Sequence, residues 1–503
     1  MRRADLSWQP ALSRRRFLGL GAGAAATVTL GACGASARPV GPGSPLVGDV
    51  ERARRAAGAR VVQRMLTAAP ATVDLGGVQV QTWAFDGQLP GPEIRLARDE
   101  VLRAELRNGL PQPTTIHWHG IALRNDMDGV PDLTQPPVAP QSRFSYEFAV
   151  PDAGTYFFHP HVGMQLDRGL YAPLVVTDPD EPGDYDLEAV IVLDDWLDGV
   201  GGRDPDQRLE QLRSEGMDMG GMGMGMGGMG GGPRAPLGPD AGDVDHPYYL
   251  INGRIGTDPV TVQGAPGQRL RLRIINAAAD TAFRVALGGH RLTVTHSDGF
   301  PVAPAEGDAL LIGMGERYDV VVTLADGVFP LVALAEGKQG QAFALVRTAG
   351  GTRPPPEAAP AELAGRLIMA PSLRATESVR LPEREPDRIH ELTLGMDMSG
   401  YRWTINGQVY GEHDPLPIER GERVRMRFVN RTMMFHPMHL HGHTYQQAVT
   451  GSGAGPRKDT SIVLPMQAVE IDIEGDNPGQ WLLHCHNSYH MEAGMMTVLS
   501  YVE

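Results

Sequence analysis

The chain has 503 residues, 42% of them hydrophobic and 21% charged, with 63 Gly, 41 Pro and a formal net charge of -15. That hydrophobic share supports full cores and excludes global disorder, the length predicts about three domains, and the acidity excludes nucleic-acid binding while favouring cations. Only Cys33 and Cys485 are present, so a disulfide framework is excluded as the main stabiliser.

In chain order, Ser13-Arg14-Arg15-Arg16-Phe17-Leu18 and the short apolar run that follows resemble a twin-arginine export signal, too short to span a membrane. Leu30-Gly31-Ala32-Cys33 resembles a lipobox, whose cysteine becomes the lipidated first residue. Residues 1–33 are therefore expected to be an address. The protein is expected to be exported by the twin-arginine route, extracytoplasmic, and bound to the membrane by a lipid anchor alone. Residues 34–59, Pro- and Gly-rich at their start, read as a tether.

From about residue 60 short alternating runs recur between Gly, Pro and Asp turns, as in Val78–Trp83, Arg143–Phe148 and Thr155–Phe158. No long helical period appears, so the fold class is all-β, Greek-key sandwiches or barrels. Leu250-Ile251-Asn252-Gly253 is echoed by Thr404-Ile405-Asn406-Gly407. About 20 residues after each comes an Arg-x-Arg strand ending in Asn276 or Asn430, with an analogue ending at Asn108. A repeat this long indicates duplicated domains: residues 60–182, 183–347 with an insertion at 203–245, and 367–503, the last two joined by a linker at 348–366.

Ten of the sixteen histidines fall into four clusters: His117/His119, His159/His161, His436/His439/His441 and His484/His486/His490, the last enclosing Cys485. Unit two contributes none. Residues i and i+2 of a strand share a face, so four His-x-His pairs (His117, His119, His159, His161, His439, His441, His484 and His486) can project eight imidazoles into one space. Imidazole suits copper, zinc, iron and nickel, and eight are enough for a cluster of about three ions. Cys485, His436 and His490 form a second set, with Met495 able to add a thioether. A His₂Cys site with an axial Met is the signature of a type 1 blue copper centre. An electron leaving the Cys485 thiolate would reach the cluster through the neighbouring His484 or His486.

At these residues the sequence resembles the three-domain, laccase-like multicopper oxidases: His-x-His-Gly, His-x-His, His-x-x-His-x-His and His-Cys-His-x-x-x-His-x-x-x-x-Met match the four family motifs. The stretch Asn125–Gly129 and a Met-rich tract look most like bacterial copper-tolerance cuprous oxidases. The resemblance implies three cupredoxin-like Greek-key β-barrels and four copper ions. His436, Cys485, His490 and Met495 would hold the type 1 ion, and His117 and His439 the type 2 ion. His119, His159 and His486 would hold one type 3 ion, with His161, His441 and His484 on the other. The implied reaction couples four one-electron oxidations to reduction of dioxygen to two waters. Asp128 matches the family's acidic position near the cluster. The Glu expected directly after the second type 1 His is Met491 here, with Glu492 next, so Asp128 and Glu492 are the candidate proton donors.

Met217, Met219, Met222, Met224, Met226 and Met229 lie in a Gly-rich tract that offers no core. Soft thioethers select Cu(I), so the tract and Met434, two residues before His436, are candidate Cu(I) ligands. Three functions compete: oxidation of Cu(I) for copper detoxification, laccase-like oxidation of phenols or aromatic amines, and copper sequestration by an envelope protein. Degenerate relatives of the last kind lack several ligands, whereas this chain lacks none.

Overall fold

The computed structural model describes residues 38–181, 183–215, 236–397, 400–449 and 454–503; the export signal, Cys33 and the whole Met217–Met229 tract lie outside the described residues. Six sheets form three pairs, each pair enclosing one apolar core. In domain one, a sheet built around Val61–Asp74 and Val101–Asn108 faces one holding His117–His119 and Gly154–His159. Domains two and three repeat this plan with larger sheets. Among the described residues, no helix is long and apolar enough to cross a membrane.

The weak sequence repeat has a physical basis in the strand plan. In each domain a first strand (Val61–Asp74, Leu187–Trp196 or Arg388–Asp397) pairs parallel with an Arg-bearing strand (Val101–Asn108, Arg269–Asn276 or Arg423–Asn430). The Asn-Gly turns place Asn252 and Asn406 at φ 50° and 55°, where Asn is tolerated and Gly follows freely. Each accepts a backbone N–H from its first strand, Val192 for Asn252 and Thr393 for Asn406. Asp86-Gly87 does the same in domain one, at φ 51° and bonded to Thr67; its Asp hid the third copy of the turn from sequence comparison.

The asparagine ending each Arg strand locks the next loop. Asn108, Asn276 and Asn430 each accept the N–H two residues on, and each donates to carbonyls of the loop or the adjoining strand. In domains one and three the loop so fixed leads to His117 and His436.

Two expected segments behave differently. Residues 38–59 are not a free tether. Val40 donates to the Tyr501 carbonyl, and a helix over Pro45–Arg54 starts at Ser44, whose side chain caps Leu46 N–H, with Pro at its first turn. Val40 and Val47 are buried in the domain-three core. Glu51 accepts the Ala149 N–H, and Arg54 reaches Ala122 O and Asn477 Oδ1. The segment thus clasps domains one and three. Likewise the chain does not leave domain two at residue 348: Leu363 is buried and Leu367–Ile368 pairs with Ala309–Ile312 of a domain-two sheet. Domain-three strands begin at Arg388. The 203–245 insertion also contains structure, a helix over Pro205–Glu215 with Leu209 and Leu212 buried.

Candidate metal centres

Strand pairing assembles the histidines. His117–His119 runs antiparallel to Gly154–His159, setting His117 opposite His159. His436–Leu440 runs antiparallel to Gln480–Cys485, setting His439 opposite His484 and Met438 opposite Cys485. Of the four His-x-His pairs only His117/His119 lies wholly within a strand; the other three straddle strand ends. Alternation along Gln480–Cys485 sends His484 to one face and Cys485 to the other.

The eight histidines from domains one and three close on one buried pocket. His119, His159 and His486 form one group and His161, His441 and His484 another, while His117, His119 and His439 form a third; within each, one donor atom per residue lies within 4.8 Å of the others. Burial first, then the neighbouring imidazoles, pushes His119, His159, His161, His441, His484 and His486 well below the usual imidazole range. They are therefore neutral at pH 7, the form that binds metals.

Outer partners fix which nitrogen faces inward. Asp128, fully buried, accepts from His117 Nδ1 through Oδ1 at 3.1 Å and from His441 Nδ1 through Oδ2 at 2.9 Å. The carbonyls of Pro160 and Cys485 take the Nδ1–H of His159 and His484, each at 2.9 Å. His119 is turned the other way: its Nε2 lies 3.2 Å from Asp459 Oδ1, and its Nδ1 has no hydrogen-bond partner. His159 Nε2 and both nitrogens of His486 are also buried without a partner. Unpartnered buried donors of this kind call for an ion or water.

The second set sits on the opposite face of the Cys485 strand. His436 Nδ1 and His490 Nδ1 each lie 3.7 Å from Cys485 Sγ and 3.1 Å from one another. Met495 is fully buried in the same core cluster as Cys485, and its carbonyl accepts the Cys485 N–H. Asn487 caps the short helix Ser488–Glu492 by accepting from Tyr489 N and His490 N, which fixes His490. The outer nitrogens are held by Thr432 Oγ1, 2.8 Å from His436 Nε2, and by Asp243 Oδ2, 2.9 Å from His490 Nε2.

Other candidates fall elsewhere. Glu492 lies beside the helix Pro205–Glu215, and burial pushes its carboxyl up to about 7 against Arg213; the structure does not bring it to the eight histidines as it does Asp128. Met434 is 2% exposed and packed in the Cys485 core cluster, whereas its neighbour Met433 is 48% exposed. The apolar face of that loop turns inward at Met434, so the thioether open to solvent is Met433.

Sequence reasoning missed domain two. Although it supplies no histidine, its Arg317 makes a forked ion pair with Asp459 at 2.7 and 2.5 Å. Although burial raises a carboxyl, Arg317 holds Asp459 well below the usual range. Its Asp243, from the segment that follows the Met-rich tract, reaches His490. Neither residue carries a local motif; only long-range contacts reveal them.

Three family models, each described as multicopper oxidase, match residues 67–181, 188–351 and 383–503. The chain is 49% identical to multicopper oxidase MmcO of Mycobacterium tuberculosis, over 97% of both chains. The chain belongs to the multicopper oxidases. It is also 28% identical to a copper resistance protein A homolog of Pseudomonas syringae pv. tomato, over 86% of this chain and 90% of the relative. The crystal structure of a laccase from Botrytis aclada superposes with a TM-score of 0.72 at 25% identity, covering 88% of each chain. The fold of this multicopper oxidase is thus three cupredoxin-like Greek-key domains, and its cofactor is copper. The donor chemistry fits: neutral imidazoles for the larger pocket, and a thiolate, two imidazoles and a thioether for the smaller.

Proposed function

We propose that this multicopper oxidase oxidises Cu(I) to Cu(II) outside the cytoplasm and reduces dioxygen to water. The observation that carries the reading is the Cys485 strand, where one peptide segment serves both sites: Cys485 faces His436 and His490, while His484 and His486 face the eight-histidine pocket. His436, Cys485, His490 and Met495 would hold a type 1 copper. His117 and His439 would hold type 2, and His119/His159/His486 and His161/His441/His484 would hold the type 3 pair. Bound copper supplies one-electron redox chemistry, so that four electrons and four protons convert one dioxygen to two waters. The chain's part is to hold neutral imidazoles in place, to exclude bulk water by burial, and to keep the Asp128 carboxyl between His117 and His441, where a proton is needed.

The cuprous substrate is supported by three features. Six methionines stand in the Met217–Met229 tract; Asp243 sets a carboxylate on the outer edge of His490; and the exposed Met433 lies beside the Asp240–Met434 bridge. Copper resistance proteins are among the relatives. The likeness to laccases favours a second reading, oxidation of small aromatic reductants at the same edge. The leader argues for twin-arginine export and a lipid anchor at Cys33, five residues before the clasped segment begins at Arg38.

Steady-state oxygen consumption of the copper-loaded enzyme, with Cu(I) against a phenol, separates the substrates. Deleting residues 217–229 is expected to lower Cu(I)-driven consumption several-fold and to leave phenol oxidation unchanged. Unchanged Cu(I) oxidation with weakened phenol oxidation would overturn the role given to the tract.

A further inference from the structure

The pocket's histidines come from domains one and three, yet one of its walls is built by domain two. Arg317 is fully buried at the junction of all three domains. Its Nη1 and Nη2 grip Asp459 of domain three, Nη1 also donates to Gly315 O, and Nε donates to Thr155 O of domain one. Asp298, on the strand-end turn beside Arg317, takes Arg317 N–H through Oδ1 and the N–H groups of Asp459 and Thr460 through Oδ2, at 3.2 and 3.1 Å. Lys458, one of two lysines in the chain, is buried against Asp298 Oδ2 at 3.0 Å and Glu316 Oε1 at 3.1 Å.

The held pair Asp459-Thr460 then meets two rings. Asp459 Oδ1 and Thr460 Oγ1 both lie 3.2 Å from His119 Nε2. Asp459 O and Thr460 Oγ1 lie 3.0 and 3.1 Å from His439 Nδ1. Within the eight-histidine pocket, these contacts explain why His119 alone, among the rings whose outer nitrogen is engaged by a side chain or carbonyl, turns Nδ1 inward while His439 turns Nε2. Two glycines make room. A Cβ on Gly120, next to His119, would stand 2.7 Å from Asp459 Oδ2 and closer still to Arg317; one on Gly315 would stand 2.8 Å from His486 and 3.0 Å from His119. Both have φ above +80°, a conformation that favours glycine on its own account.

We infer that Arg317 is a positioning residue: through Asp459 and Thr460 it sets the ring orientation of His119 and His439, so that domain two governs a metal pocket to which it gives no ligand. The inference rests on the reading of that pocket as the type 2 and type 3 copper site. A planar fork bound to a carboxylate fixes direction as well as distance, which a lysine does not do.

The test compares copper-loaded parent, Arg317→Gln, Arg317→Lys and Thr460→Val. In Arg317→Gln the blue type 1 absorbance per chain is expected to persist. The paramagnetic type 2 signal should shift or disappear, and oxygen consumption should fall about ten-fold or more, the scale on which outer partners act at metal sites. Arg317→Lys should recover only part of the activity. Thr460→Val, which removes only a hydroxyl, should alter the type 2 signal in the same direction by a smaller amount. Four coppers with an unchanged type 2 signal in both Arg317→Gln and Thr460→Val would overturn the inference. So would equal loss of type 1 and type 2 signals in Arg317→Gln, which would make Arg317 a general support of the fold. A parent enzyme without a type 2 signal would instead refute the copper reading of the pocket.

Discussion

Replacing Cys485 by Ser is expected to abolish the intense blue absorbance and to lower oxidase activity more than about 1,000-fold, since residues that act as a unit cannot be lost singly without losing the whole function. The sulfur lies 3.7 Å from each of two imidazole Nδ1 atoms, on a strand whose next residue inward belongs to the other pocket. A serine oxygen is a hard donor that does not replace a soft thiolate. The side chain is fully buried in the domain-three core, so the hydroxyl would cost about 1–3 kcal/mol of stability, too little to unfold a domain of this size. The variant should keep its β-rich circular dichroism and the coppers of the eight-histidine pocket. Blue absorbance that survives the substitution would refute the assignment of Cys485.

The second large effect is expected at Asp128. One carboxylate accepts from His117 and His441, which belong to different metal groups, and it is fully buried. An amide can present only one acceptor oxygen, so Asp128→Asn must leave one of the two rings facing an N–H donor. Loss of ring orientation and of a proton-transfer group together predict a fall of about 100-fold or more in the reaction of the reduced enzyme with oxygen. Anaerobic bleaching of the blue band by a reductant should proceed at the parental rate, because the Cys485 site is untouched. Slowed bleaching with normal reoxidation would contradict the role given to Asp128.

The parts of this site that could be read from sequence are those whose chemistry is written in adjacent residues. His-x-His spacing, the Cys485 neighbourhood and the Asn-Gly turns each encode their geometry within a few positions, because strand alternation and turn dihedrals are local rules. Arg317, Asp298 and Asp243 are single polar residues whose partners lie 142, 161 and 247 positions away, and nothing in their own surroundings separates them from other charged residues. The N-terminal helix was hidden for a related reason. The Pro and Gly before it read as a tether, yet Pro45 sits at the helix start where it is favoured, and Val40 is held by the Tyr501 carbonyl at the far end of the chain while Val47 is buried in a core cluster shared with domain three. Glu492 shows the opposite case, in that adjacency to a ligand suggested a role, whereas the contact the short helix makes there is its Glu492 carbonyl accepting from Arg213.

The proposed chemistry needs one sulfur-bound site feeding a separate pocket large enough for three metal ions. Elemental analysis of the purified, fully loaded chain, combined with identification of the oxygen product, tests this most directly. Four coppers per chain with water as the product is the expected result. A count well below four at saturation, or peroxide as the end product, would contradict it.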